Sequence, residues 1–121
     1  MDVVSRVSDC KKYLHICVDF ELSYRNALHL AEIAYQLART QGVRNLFFDL
    51  RGIRNTATTI QNYKLVSEDI ERIGFDKTAK VALLIDEFDE SHDFIDSAAN
   101  SAGYNLKSFT CESTLLEWIQ I

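Results

Sequence analysis

The chain has no proline and only four glycines in 121 residues. No Pro/Gly/Ser-rich stretch divides it and no internal repeat is evident, so residues 1–121 read as a single domain. The three cysteines, Cys10, Cys17 and Cys111, are an odd number without CxxC spacing. That argues against a disulfide framework and suits reduced thiols. Basic residues are scarce: 13 Lys and Arg stand against 18 Asp and Glu, for a net charge of −5. Lys11-Lys12 and the spaced pair Arg51 and Arg54 are the only grouped cations, too few to neutralise a run of phosphates, so nucleic acid is not an expected partner. The longest aliphatic run, Val81–Ile85, falls far short of the ~20 residues of a membrane span. The start, Met-Asp-Val-Val-Ser-Arg, lacks the basic-then-apolar pattern of a signal peptide. A cytoplasmic protein without an integral membrane segment is expected. GxSxG, P-loop, GxGxxG, HxxxH and HExxH patterns are all missing. Hence the expectation is no enzyme, no cofactor and no metal.

What is present is an ordinary globular composition, 47% apolar and 26% charged. Hydrophobic periodicity then divides the chain. Val3–Ser8 reads as a strand, Asp9–Lys12 as a turn and Tyr13–Phe20 as the second strand of a hairpin. In that second strand Leu14, Ile16, Val18 and Phe20 share one face, and Tyr13, His15, Cys17 and Asp19 share a wetter one. A helix is predicted over Tyr24–Gln41, capped by Ser23 and ended by Gly42. Its apolar stripe is Ala27, Leu30, Ala31, Ala34, Leu37 and Ala38. Asn45–Leu50 is a strand with little alternation. A second helix is predicted from about Thr58 to Ile73, with Ile60, Tyr63, Val66, Ile70 and Ile73 on its core side. Lys80–Asp86, the most continuous apolar strand, is expected at the sheet centre. A third helix over about Glu90–Ala102 is expected to bury Phe94, Ile95, Ala98, Ala99 and Ala102. Leu106–Phe109 is a last strand and Glu112–Gln120 a last helix. This order implies an α/β fold: a mixed five-stranded sheet, with an N-terminal antiparallel hairpin and then parallel βα units, and four helices.

Gly52 ends no predicted helix. It follows a strand, in a type of loop that carries ligands in parallel α/β sheets. Beside it Arg51 and Arg54 offer guanidinium forks, and Thr56, Thr58 and Thr59 lie at a helix start where backbone N–H groups are free. The loop is therefore the candidate site for an anion or an acidic partner. The plainer alternative is that one threonine caps the helix and the arginines pair with nearby acids. Leu65 falls on the predicted polar side of the second helix, beside Asn62 and Asp69, and is the candidate centre of a protein contact. Tyr13, Tyr24 and Tyr35 are further candidates for an interface, with another protein or in a homodimer. The acidic run Asp86, Glu87, Asp89, Glu90, Asp93 and Asp96 has no EF-hand spacing, and carboxylates suit a helix start in any case. Cys111 lies near a helix N-terminus, where a thiol pKa falls.

Three segments carry a resemblance. They are Leu46-Phe47-Phe48-Asp49-Leu50-Arg51-Gly52 after Gly42-Val43-Arg44, Val81–Ile85 before an acidic helix start, and Phe109 followed by Leu115-Leu116-Glu117-Trp118-Ile119. Together they resemble the SpoIIAA-like proteins, the group linked to anti-sigma-factor-antagonist (STAS) domains and CRAL-TRIO lipid-binding domains. The resemblance spans about Tyr13 to Ile121. It implies a non-enzymatic SpoIIAA-like module that binds a protein partner or regulates one. Its CRAL-TRIO side implies the alternative of a small carrier for a lipid or other apolar ligand. STAS antagonists place an Asp-Ser phosphoacceptor pair at the start of the helix after this strand. Those positions are Ala57 and Thr58 here, followed by Thr59-Ile60-Gln61 in place of Ser-Gly-Leu. The departure favours a bound anion over a phosphate installed on Thr58.

Overall fold

Ser8 makes the first turn. Its Oγ accepts the N–H groups of Lys12 and Tyr13 at 3.0 and 3.2 Å, and Lys11 takes a positive φ of 57°. The computed structural model, which describes residues 2–121, builds a five-stranded sheet from there. Its strands are β1 (Val3–Val7), β2 (Tyr13–Val18), β3 (Asn45–Asp49), β4 (Lys80–Leu84) and β5 (Asn105–Phe109). They lie side by side in chain order. β1 pairs antiparallel with β2, and every later pair is parallel. The expected α/β architecture is thus present, but β3 rather than β4 holds the centre.

Helix α1 (Tyr24–Gln41) begins where the Ser23 side chain accepts the Asn26 N–H at 3.2 Å. It ends at Gly42, whose φ of 70° is open to glycine without strain. Helix α2 runs in three stretches: Thr59–Lys64, a π-helical turn Leu65–Asp69, and Ile70–Ile73. Helices α3 (Asp93–Ser101) and α4 (Glu112–Ile119) follow β4 and β5. No helix among the described residues is long and apolar enough to cross a membrane.

Three crossovers of one hand step the same way along the sheet, so α1, α2 and α3 share a face. Leu14, Ile16, Leu46, Phe48 and Leu83 point into that layer. Among the described residues the opposite face is covered by α4, which packs Leu115 and Ile119 on Phe47, Ala82, Leu84 and Phe109.

Helix α2 departs from the predicted face. Ile60 and Tyr63 are 80% and 62% exposed, while Leu65 is only 3% exposed. The cause is the π-turn, which inserts an extra residue and rotates the preceding stretch relative to the following one. Val66 within the turn and Ile70 and Ile73 after it keep their inward bias. Phe94, expected in the core of α3, is 39% exposed.

Candidate functional site

The Arg51–Thr59 loop is stitched to its own protein. Gly52 has a φ of 76° and donates its N–H to the Asp86 carboxylate at 2.6 Å. Arg51 forks onto Asp49, with Nε–Oδ1 at 3.0 Å and a terminal nitrogen 2.7 Å from Oδ2. It also reaches Glu112 at 3.5 Å. Arg54 lies 3.8 Å from Asp89. The Thr58 hydroxyl accepts the Gln61 N–H, and the Gln61 side chain accepts the Thr58 N–H, closing a capping box. The Thr56 N–H bonds the Leu22 carbonyl at 2.9 Å, and Thr59 opens α2. Arginines already matched by carboxylates leave little charge for an outside anion. Of the two readings of this loop, internal pairing and capping describe its geometry.

Leu65 is a wall residue, not a surface one. It lines a cavity of about 130 Å³ between the sheet and the three helices on its first face, together with Ala31, Phe48, Leu83, Ile95 and Ala99. The wall is almost entirely apolar. The exceptions to the apolar lining are Asn55, Asp76, His92 and Tyr104, of which His92 and Tyr104 are 1% and 9% exposed. His92 Nε2 donates to the Ile53 carbonyl at 2.8 Å and faces Asp89 at 3.4 Å. In the neutral ring that leaves Nδ1 as an acceptor, and it is buried without a partner. The Tyr104 hydroxyl is likewise buried and unpaired. Burial pushes its pKa up, keeping it a donor. Each orphan polar group costs about 1–3 kcal/mol.

No known family, curated protein or solved structure matches the chain.

A second cluster lies on the α4 face, where that helix leaves β2 partly open. Parallel register sets Cys17 opposite Asp49 and His15 opposite Phe47. The His15 ring stacks on Phe47 at 4.2 Å between centroids, and its Nε2 lies 3.6 Å from Cys17 Sγ. Burial lowers the His15 pKa, outweighing the Asp49 carboxylate beside it. Burial and that same carboxylate raise the Cys17 pKa. The hydrogen bonds from Arg51 hold the Asp49 carboxyl below its usual range. A neutral thiol beside a neutral imidazole is not an activated nucleophile. The sequence signal for this cluster was the wetter face of the second strand. What the sequence left hidden was Asp49 arriving from β3. Cys111 is exposed at the start of α4, with Sγ 3.1 Å from Ser113 Oγ. Hydrogen bonds from Ser113 and Thr114 lower its pKa to about 7.

Proposed function

We propose that this chain is a non-enzymatic, SpoIIAA-like binding module whose ligand is a small, mostly apolar molecule held in the internal cavity. The observation that carries the reading is the pairing of an apolar void with two buried, unpartnered polar groups, His92 Nδ1 and the Tyr104 hydroxyl. Its volume of about 130 Å³ is close to the roughly 150 Å³ of an engineered cavity that takes benzene. It suits one ring rather than an acyl chain, so the carrier reading narrows from lipids to small aromatic or alicyclic molecules. A hydroxyl or N–H on that ring answers His92 Nδ1, and an acceptor answers the Tyr104 hydroxyl. The reduced thiols expected for Cys10, Cys17 and Cys111 suit a cytoplasmic setting.

Benzene, phenol and indole serve as probes in thermal melts. A ligand at one hundred times its Kd stabilises a protein by about 2.7 kcal/mol, a shift of several degrees. Phenol or indole is expected to raise Tm more than benzene, and Tyr104→Phe to narrow that difference. Ala99→Leu, which fills the void, is expected to abolish the response. No shift with any ring, together with no retained ligand in native mass spectrometry of protein from cells, would refute the reading.

A second reading, a protein-binding surface, has its own support. Ile60 and Tyr63 sit three residues apart on the outward side of α2, 80% and 62% exposed. They replace Leu65 as the apolar residues a partner would meet. Capture of a specific partner by the intact chain, lost in Ile60→Asp/Tyr63→Asp, is the outcome that favours it.

A further inference from the structure

Independently of the cavity, we propose that His15, Cys17 and Asp49 form a binding site for a divalent transition metal of the zinc class. One ligand atom from each lies within 4.8 Å of the other two. The Cys17 Sγ to His15 Nε2 separation is 3.6 Å. A tetrahedral ion with bonds of ≈ 2.3 Å to sulfur and ≈ 2.0–2.1 Å to nitrogen sets its ligands about 3.6 Å apart, so two of the three donors already stand at coordination spacing. Both project from one face of β2, two residues apart, and Asp49 answers Cys17 across the parallel ladder. A paired strand is a rigid mount for such a set. Sulfur, imidazole and carboxylate together suit zinc and its neighbours, whereas calcium and magnesium take oxygen alone.

The competing cation sits beside these donors. Arg51 spans Asp49 and Glu112, at 2.7 and 3.5 Å. Its side chain is half exposed, so it is free to swing into water when a metal takes its place on Asp49. On binding, the Cys17 S–H bond breaks, its proton passes to solvent and the sulfur lone pair forms the bond to the metal. The metal keeps its oxidation state, and the fourth position is left to water or Glu112.

Titration of the full chain with Co²⁺ tests the site, in a Cys10→Ser/Cys111→Ser background that leaves Cys17 as the only thiol. The expected result is a thiolate-to-cobalt charge-transfer band that Zn²⁺ displaces. Cys17→Ser and His15→Ala each abolish it, and Asp49→Asn weakens it. Arg51→Ala tightens Co²⁺ binding several-fold, because it removes the competing cation. Absence of the band in the background protein, or its survival in His15→Ala, overturns the proposal. Circular dichroism checks that each variant folds. If a ligand variant unfolds, Arg51→Ala decides alone, since unchanged or weaker Co²⁺ binding there is the refuting result.

Discussion

Removing the charge of Asp69 will destabilise the fold by an amount that vanishes in acid. Asp69 sits in the π-helical turn of α2 and is 2% exposed. Its carboxylate accepts hydrogen bonds from the Tyr24 hydroxyl, from Lys64 at 3.2 Å and from Arg72 at 3.1 Å. Burial raises its pKa, but the hydrogen bonds from Tyr24, Arg72 and Lys64 outweigh burial, and the net direction is below 3.8. Hydrogen bonds to a charged group contribute about 1.5–3 kcal/mol. The Lys64 and Arg72 side chains are 49% and 67% exposed, so water screens them and takes them back when Asp69 changes. That places Asp69→Asn near the low end, about 1.5–2 kcal/mol. With a urea slope of about 1–3 kcal/mol per molar, the midpoint should fall by about 1 M at pH 7. A carboxyl whose folded pKa is depressed contributes stability above its unfolded value and loses it as pH falls through the folded one. The gap between wild type and Asp69→Asn should therefore be full above the unfolded value of 3.8 and close below it. Urea melts across that range are the assay. A gap that persists unchanged in acid would refute the electrostatic argument, and no gap at pH 7 would refute the network.

Gly52→Ala should cost about 1–2 kcal/mol in urea melts, since its φ of 76° is costly for any residue with a Cβ. Nothing lies within 4 Å of the added atom, so a larger loss would point to a clash the structure lacks, and no loss would contradict the backbone conformation. Among the thiols, Cys111 should alkylate with a pH midpoint near 7, while half-buried Cys17 should react slowest. Peptide mapping after iodoacetamide pulses reads both, and a Cys17 that outpaces Cys111 would reverse the assignment of their surroundings.

Sheet class and helix ends were legible because they depend on local rules. Ser23 and Gly42 cap α1 as their residue types require, and Tyr13–Val18 alternates as a half-covered strand must. Helix α2 was misread because the π-turn rotates its faces and two polar residues turn inward there. Asn62 is buried against Asn55, whose Nδ2 donates to Asn62 Oδ1 at 3.0 Å, and Asp69 against Tyr24. Both partners come from other segments, so periodicity alone assigned these side chains to water. The same limit hid the orphaned His92 and Tyr104, whose interest lies in what fails to reach them. Arg51 and Arg54 were found in sequence, and Asp49 lies two residues from Arg51, but their other carboxylates, Glu112 and Asp89, lie far along the chain.

The side-by-side order of the strands also bears on how the molecule assembles. Each strand after the first joins the edge left by its predecessor, and none must be threaded between two already paired. The sheet can therefore grow in the direction of synthesis, one βα unit at a time, without reopening pairs made earlier. The opposite face is a different matter. Phe47, Ala82 and Leu84 wait for α4, which is translated after all five strands. A nascent chain in which α4 has yet to emerge carries an uncovered apolar sheet face, and that interval is when it most needs a chaperone.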